Sequence, residues 1–210
     1  MKILSGKPVP VIAACAFAFA LASMGETTRA EAADTATLAG KPAKTFSTAG
    51  HPKSSGVALT ISYPEDWNAE ESKSRTGVQM FVNPTSTATV MVGAKPSKRP
   101  ITPEEAAKLV ADGTGVSPLF PPSTSIVNFQ SVKVGDVPAA LVECTDSRKQ
   151  ADAAAHARSF FLIFVQGDVL VMIHCMVASP DPAAVEKTFE SHRELFKQIL
   201  SSVTLANGLK

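Results

Sequence analysis

His174 and Cys175 are the adjacent pair whose side chains could do metal or redox chemistry. Imidazole and thiolate both bind zinc and softer transition metals, and a thiolate also reacts in redox steps. The pair lies in the apolar stretch Val169 to Val177, which is typical of a β-strand. Adjacent strand residues point to opposite faces, so the two cannot chelate one ion without a bulge. The pattern favours a partly buried histidine satisfied by a neighbour, with His192 as the candidate, which would make the contact pH-sensitive.

The other histidines, serines and carboxylates form no recognisable catalytic or metal-binding motif. No Gly-x-Ser-x-Gly segment marks an exposed nucleophile. The acidic pairs Glu65-Asp66 and Glu70-Glu71 lack the oxygen-ligand spacing of a calcium loop. The sequence therefore predicts no catalytic, cofactor-binding or metal-binding residue and a protein that is not an enzyme. An unrecognised hydrolase is the weaker alternative.

The N-terminus has the pattern of an export signal. Lys2 and Lys7 precede an apolar run over residues 11–23, and the small-x-small pattern ends at Ala32. We expect residues 1–32 to be a signal peptide cleaved near Ala32, a periplasmic or secreted mature chain, and no transmembrane span in that chain. A lipoprotein anchored through Cys15 is the less favoured alternative, because the apolar run continues beyond that cysteine.

Cleavage would leave a neutral chain with two cysteines. The leader holds three of the 20 basic and two of the 19 acidic residues, so 17 of each remain. Such a chain lacks the basic stripe that nucleic acid requires, and no nucleic-acid partner is expected. Cys144 and Cys175 fall on predicted strands separated by a third strand, which is too far for a disulfide. Two buried thiols are favoured, and a bridge remains the alternative.

Alternating and apolar segments predict a β-rich domain over residues 57–210. Residues 33–56 are rich in small and polar types, so a flexible N-terminal segment is expected there, with Thr45 to Ser47 as a candidate edge strand. Slipped alternation between Phe129 and Val132 predicts a bulge. The predicted strands are Val57–Tyr63, Gly77–Val82, Thr87–Gly93, Ile126–Val134, Val137–Thr145, Ser159–Gln166 and Val169–Val177.

Two helices accompany these strands. Thr102-Pro103-Glu104-Glu105 is a capping-box start for a helix that Asp112-Gly113 should end. A second helix begins after Asp181 and carries an apolar stripe from Val185 to Val203. The last two strands are apolar on both faces and must be covered on both sides. These elements predict an α+β fold, an α/β/α sandwich with a central antiparallel sheet of about seven strands and helices on both faces.

Two loops are the candidates for binding a partner. A proline-rich loop before Ser125 carries Leu119 and Phe120, which either pack under the domain or face a partner. A charged loop is expected over residues 147–157, and it carries Arg148 and Lys149. We expect any partner-binding residues to lie in these loops.

Several local phrases, in their order along the chain, resemble the PsbP-like superfamily, which includes PsbP, Mog and bacterial DcrB-like proteins. The phrases are Ile61-Ser62-Tyr63-Pro64-Glu65-Asp66-Trp67, Val78-Gln79-Met80-Phe81, Gly135-Asp136-Val137-Pro138-Ala139, and Phe189 with Phe196-Lys197-Gln198-Ile199-Leu200-Ser201-Ser202. The resemblance implies a scaffold without a shared catalytic apparatus that serves docking or assembly, and the exported bacterial branch fits best. We therefore expect an exported, non-enzymatic binding or assembly-supporting factor with a protein partner in the cell envelope. The alternative is a small-ligand or metal carrier with a pocket between sheet and helix.

Overall fold

The computed structural model describes residues 37–150 and 153–206. The predicted signal peptide and Cys15 lie outside the described residues.

A seven-stranded antiparallel sheet forms the centre of the fold. Its strand order is β4-β5-β6-β10-β9-β8-β7, so the last two long strands of the chain lie inside it. This confirms the predicted antiparallel sheet and places the two most apolar strands in its interior. The seven strands are β4 (Asn68–Glu71), β5 (Gly77–Val82), β6 (Ala88–Pro96), β7 (Thr124–Val134), β8 (Val137–Gln150), β9 (Ala153–Gln166) and β10 (Val169–Ser179).

A second, four-stranded sheet corrects the interpretation of the N-terminal segment. It has the order β1-β2-β3-β11 and is built from Thr37–Leu38, Lys41–Ser47, Leu59–Pro64 and Thr204–Leu205. The described part of the expected flexible segment is thus ordered as two strands and a 3-10 turn. Leu38 and Ala43 are buried, and the Phe46 ring lies 5.7 Å from that of Phe81. This burial offsets the conformational entropy that the segment loses on folding, which the composition alone did not indicate. The candidate edge strand at Thr45 to Ser47 lies within β2.

The seventh strand of the large sheet is β4, and the first predicted strand belongs to the small sheet instead. Asn68–Glu71 is exposed along its whole length and has no apolar face, so no strand was predicted there. It pairs with β5 in antiparallel register, from Asn68 opposite Val82 to Glu71 opposite Gln79. Edge strands need no apolar alternation, which explains why the pattern did not reveal it.

The three described α-helices each begin at a residue whose side chain caps the helix N-terminus: Thr102, Asp112 and Asp181. In α1 (Pro103–Leu109) the Thr102 hydroxyl accepts from the Glu105 amide, and the Glu105 carboxylate accepts from the Thr102 amide, which confirms the capping box. The helix ends at Leu109, earlier than expected. Asp112 does not end it but caps the short helix α2 (Gly113–Val116), accepting hydrogen bonds from two of its amides. The long helix α3 spans Pro182–Ser201 and is capped by Asp181, as the sequence indicated.

Two hydrophobic cores lie on opposite faces of the large sheet, so the sandwich with helices on both faces is confirmed. One core joins α3 and the small sheet to the large sheet. The other core packs Val110, Val116 and Phe120, from the segment that contains α2, against β8 and β9. We call the face under α3 the first face and the opposite one the second face.

Two local predictions about the strands are wrong. The charged loop expected over residues 147–157 is mostly strand, because β8 and β9 continue their pairing to Gln150 and Ala153. Alanines and polar residues there carry no apolar pattern, so sequence alone could not extend the hairpin. The bulge in β7 falls between Ile126 and Asn128 rather than between Phe129 and Val132.

Candidate docking face

The two faces of the large sheet are covered to different extents. On the first face, Val171, Ile173, Cys175 and Val177 of β10 are all buried beneath α3 and the small sheet. On the second face, Leu170, Met172 and His174 of the same strand are only half-buried. The cover expected for both central strands is therefore complete for β9 between Phe160 and Val165, but not for β10. The second face keeps an accessible apolar strip.

Methionines form a row across this strip. Met80 of β5 is the cross-strand partner of Met91 of β6, and Met91 is in turn the partner of His174 of β10. Met172 lies two residues before His174 on the same face. The Ser72 hydroxyl lies 4.0 Å from the Met91 sulfur. These methionines were not predicted as site residues, although they occupy alternate positions in their strands.

His174 is held by its neighbours in β9 rather than by α3. Its Nε2 atom lies 3.0 Å from the Ser159 hydroxyl, and its ring stacks on Phe161 at 4.0 Å. Burial, reinforced by the positive charge of Arg148, lowers the pKa of His174 to about 3. The proposed contact with His192 is wrong, because His192 belongs to α3 on the first face and lies 3.3 Å from the Asn83 amide nitrogen. A neutral imidazole therefore belongs to the apolar strip at neutral pH.

Of the residues proposed for partner binding, Leu119 and Phe120 pack against the second face, and Arg148 lies on it by strand alternation from Cys144. Phe120 is 8% exposed and its ring is 4.9 Å from that of Phe161, so it is a core residue and cannot reach a partner from the folded chain. Leu119 is half-buried against the same core. Arg148 is exposed and pairs with Asp146 at 2.5 Å. Lys149 is near the end of β8, where it is the cross-strand partner of Ala154.

Cys144 and Cys175 are free and buried, as expected. Cys144 lies on the second face and Cys175 on the first, with β9 between their strands. Burial, aided by the charges of Asp146 and Glu143, raises the pKa of Cys144 to about 12. Burial also raises the pKa of Cys175. Neither thiol is placed or ionised to act as a nucleophile.

A buried ion-pair network, which was not predicted from the sequence, lies on the first face. Glu143 is 5% exposed and accepts hydrogen bonds from Arg158 and Arg193. Arg193 also pairs with Glu190 at 2.7 Å, and Arg158 packs over the Phe189 ring at 4.9 Å. Burial acts to raise the pKa of Glu143, but the hydrogen bonds from the two arginines outweigh it and the pKa is lowered. The network joins α3 to β8 and β9.

The described residues offer few other sites. Over residues 37–150 and 153–206, no group of three or more His, Cys, Asp or Glu side chains could hold a metal ion. In the same part of the chain, no helix is both long and apolar enough to cross a membrane. A void between the two sheets, lined by residues such as Thr48, Val57 and Val171, has no room for a water molecule.

Comparison with known proteins finds similarity to solved structures. No protein-family model and no curated protein sequence matches the chain. Cyanobacterial PsbP of Synechocystis aligns with a TM-score of 0.49 and 10% identity, over 78% of this chain and 92% of that one. LpqN, involved in cell envelope biogenesis of Mycobacterium tuberculosis, aligns with a TM-score of 0.47 and 13% identity, over 78% of this chain and 91% of LpqN. The Ran-binding protein Mog1p of Saccharomyces cerevisiae aligns with a TM-score of 0.44 and 12% identity, over 78% of this chain and 95% of Mog1p.

The PsbP and Mog types that the sequence phrases resemble are thus among the matching structures. A Bacteroides thetaiotaomicron protein also matches at 15% identity and a TM-score of 0.41 over 71% of this chain, and the chain spans 45% of that protein's length. At these identities the likeness is one of fold. It does not extend to what this chain binds.

Proposed function

We propose that this chain is an exported, non-enzymatic protein that binds a protein partner in the cell envelope and supports an assembly there. The partner presents an apolar surface and docks on the second face of the large sheet. The observation that carries the proposal is the half-buried cross-strand row of Met80 and Met91, extended by Met172 on β10. The helices within residues 37–150 and 153–206 leave this row incompletely covered.

The chemistry of the row suits a docking role. Methionine is unbranched and polarizable, so it adapts to partner surfaces of different shape. The neighbouring His174 is neutral at physiological pH because burial lowers its pKa, and it adds no charge that a partner would have to neutralise. Covering these side chains removes apolar area from water, which is the main driving force of protein association.

Export is supported by the N-terminal pattern. Lys2 and Lys7, the apolar run over residues 11–23 and the small residues ending at Ala32 are typical of a secretory signal. We propose a periplasmic or secreted mature chain, with a lipoprotein through Cys15 as the alternative. Fractionation of cells, with the N-terminus of the mature chain read by mass spectrometry, distinguishes the two by the cleavage position.

Site-specific photocrosslinking in intact cells tests the docking face. A photoreactive amino acid replaces Met91 on the second face, and in a matched control it replaces the exposed Lys187 on the outer surface of α3. We expect a reproducible adduct with one envelope protein from position 91 and none from position 187. Absence of an adduct at 91, or the same adducts at both positions, would contradict the proposal.

Substitution of the same residue tests the chemistry of the contact. Met91→Leu keeps an apolar side chain of similar volume and should preserve capture of the crosslinked partner. Met91→Lys places a charge in the row and should abolish capture, since a buried unpaired charge is costly. Thermal unfolding of both variants verifies that the fold is retained. Equal capture by both variants would show that the row is not the contact.

A further inference from the structure

Among the described strands, the two edges of the large sheet differ in length and charge. The β4 edge is only four residues long and carries Glu70 and Glu71, the second of which pairs with Lys53 at 2.9 Å. Short, charged strands are the usual protection of an edge against pairing with another chain. The β7 edge is eleven residues long, and Lys133 is its one charged residue. The edges of the small sheet, β1 and β11, are two residues each.

The β7 edge is competent to pair with another strand. Within the described chain β7 pairs only with β8, so its outer backbone groups have no strand partner. After the bulge, Asn128 to Val134 runs in unbroken register with β8, giving seven consecutive residues of regular strand. Val127, at the bulge, is 54% exposed and is the large apolar residue most exposed among those described.

We propose that this edge binds the same edge of a second copy of the chain, as an antiparallel β7–β7 pair centred on Ser131. Ser131 is the midpoint of the regular stretch from Asn128 to Val134. A two-fold axis at this residue makes the contact self-complementary and closed, as the commonest homodimers require. The backbone groups that β7 leaves unpaired are then satisfied by the partner strand.

Charge favours a second copy as the occupant. With this register, Lys133 of one copy lies opposite Phe129 of the other, so the two lysines do not face each other. The chain's formal charge is +1, which gives little repulsion between copies. The central residues Gln130, Ser131 and Val132 are uncharged, so no ionic group is desolvated at the axis.

The pairing also preserves the two faces of the sheet. Ser131 lies opposite Ala140 of the second-face core, and Phe129 packs against the same core. Residues directly opposite in an antiparallel pair share a face, so the second faces of both copies become continuous across the axis. The dimer thus places two methionine rows on one extended surface.

Light scattering combined with size exclusion, over a range of concentrations, tests the dimer. Ser131→Asp puts two carboxylates opposite each other at the axis, whereas the control Ser125→Asp places the same charge on the same strand before the bulge. Both serines are exposed, so neither change should unfold the chain. We expect a mass of twice the chain for the wild type and Ser125→Asp, and dimerisation about tenfold weaker or more for Ser131→Asp. A monomeric wild type, or equal behaviour of the two variants, overturns the proposal.

Disulfide trapping tests the register separately. Ser131→Cys should form a reducible intermolecular disulfide because the residue meets its own copy at the axis, whereas Ser125→Cys should not. Cys15 is replaced by serine in both variants, and the native Cys144 and Cys175 are buried and should not compete. Equal trapping of both variants would overturn the register. These results do not depend on the envelope partner, because they are measured on the purified full chain.

Discussion

Glu143 of β8 and Arg193 of α3 are separated by fifty residues, and Arg193 donates to both carboxylate oxygens of Glu143 at 2.9 and 3.0 Å. Arg158 of β9 donates to the same carboxylate at 2.6 Å. The long helix is thus fixed on the sheet by directional contacts as well as by its apolar stripe. This relationship determines the rotation of α3 about its axis, because a bidentate arginine pair tolerates little displacement.

Removing the Glu143 carboxylate should destabilise the domain. Glu143→Ala leaves two arginines partly buried beside each other, and loss of one partner of a buried pair costs about 3 kcal/mol. The control Glu194→Ala breaks the exposed pair with Lys197 and should cost less than about 0.5 kcal/mol. Urea unfolding measures both free energies. Equal losses would show that the network contributes no more than a surface pair.

The sequence predicts the elements whose signals are local. The apolar runs of β9 and β10, the Asp181 cap and the capping box at Thr102 are each encoded within a few residues, and all are present. The separation of Cys144 and Cys175 followed from strand order. Periodicity and caps depend on neighbouring residues, so no knowledge of tertiary packing is required.

Features that depend on tertiary packing could not be predicted. β4 has no buried side chain, and the polar ends of β8 and β9 are ordered by pairing with each other. The partial cover of the second face depends on how little apolar surface α1 supplies, since none of its residues is buried. The methionine row exists only once β5, β6 and β10 are placed side by side. The side-by-side placement of β5, β6 and β10 and the extent of helix cover were therefore the missing information.

The pH dependence of folding should reveal the neutral His174. Its pKa is about 3 in the folded chain, whereas histidine in an unfolded chain has a pKa of about 6.5. The unfolded state therefore binds the proton first as pH falls. The contribution of the neutral His174 to the free energy of unfolding is complete above about pH 6.5. It is lost progressively toward pH 3, by at most about 1.4 kcal/mol per pH unit.

Matched histidine variants test this assignment. His174→Gln keeps a side chain that can bond Ser159 but cannot titrate, so the free energy of unfolding should vary less between about pH 6.5 and 5. His192→Gln leaves His174 in place and should keep the wild-type slope. Urea unfolding across this range gives both slopes. A steep slope in His174→Gln would mean that another group is responsible.

Both buried thiols should resist modification in the folded protein. Burial raises the pKa of Cys144 to about 12 and raises that of Cys175, so neither forms a thiolate at mildly alkaline pH. Alkylation with peptide-level mass spectrometry should find both unlabelled in native protein and both labelled in urea. A reducing agent should leave the melting temperature unchanged. A disulfide-linked peptide joining the two would contradict this, since β9 separates their strands.

Phe120 should act through stability and not through partner contact. Its ring packs against Phe161 at 4.9 Å and it is 8% exposed, so Phe120→Ala removes a core side chain and should cost about 3 kcal/mol. Leu119→Ala, at a half-buried position of the same turn, should cost about 1 kcal/mol. Urea unfolding measures both losses, and capture of the partner is then compared at a temperature where both variants are folded. A large loss of capture with little loss of stability in Phe120→Ala would instead assign this ring to a binding site.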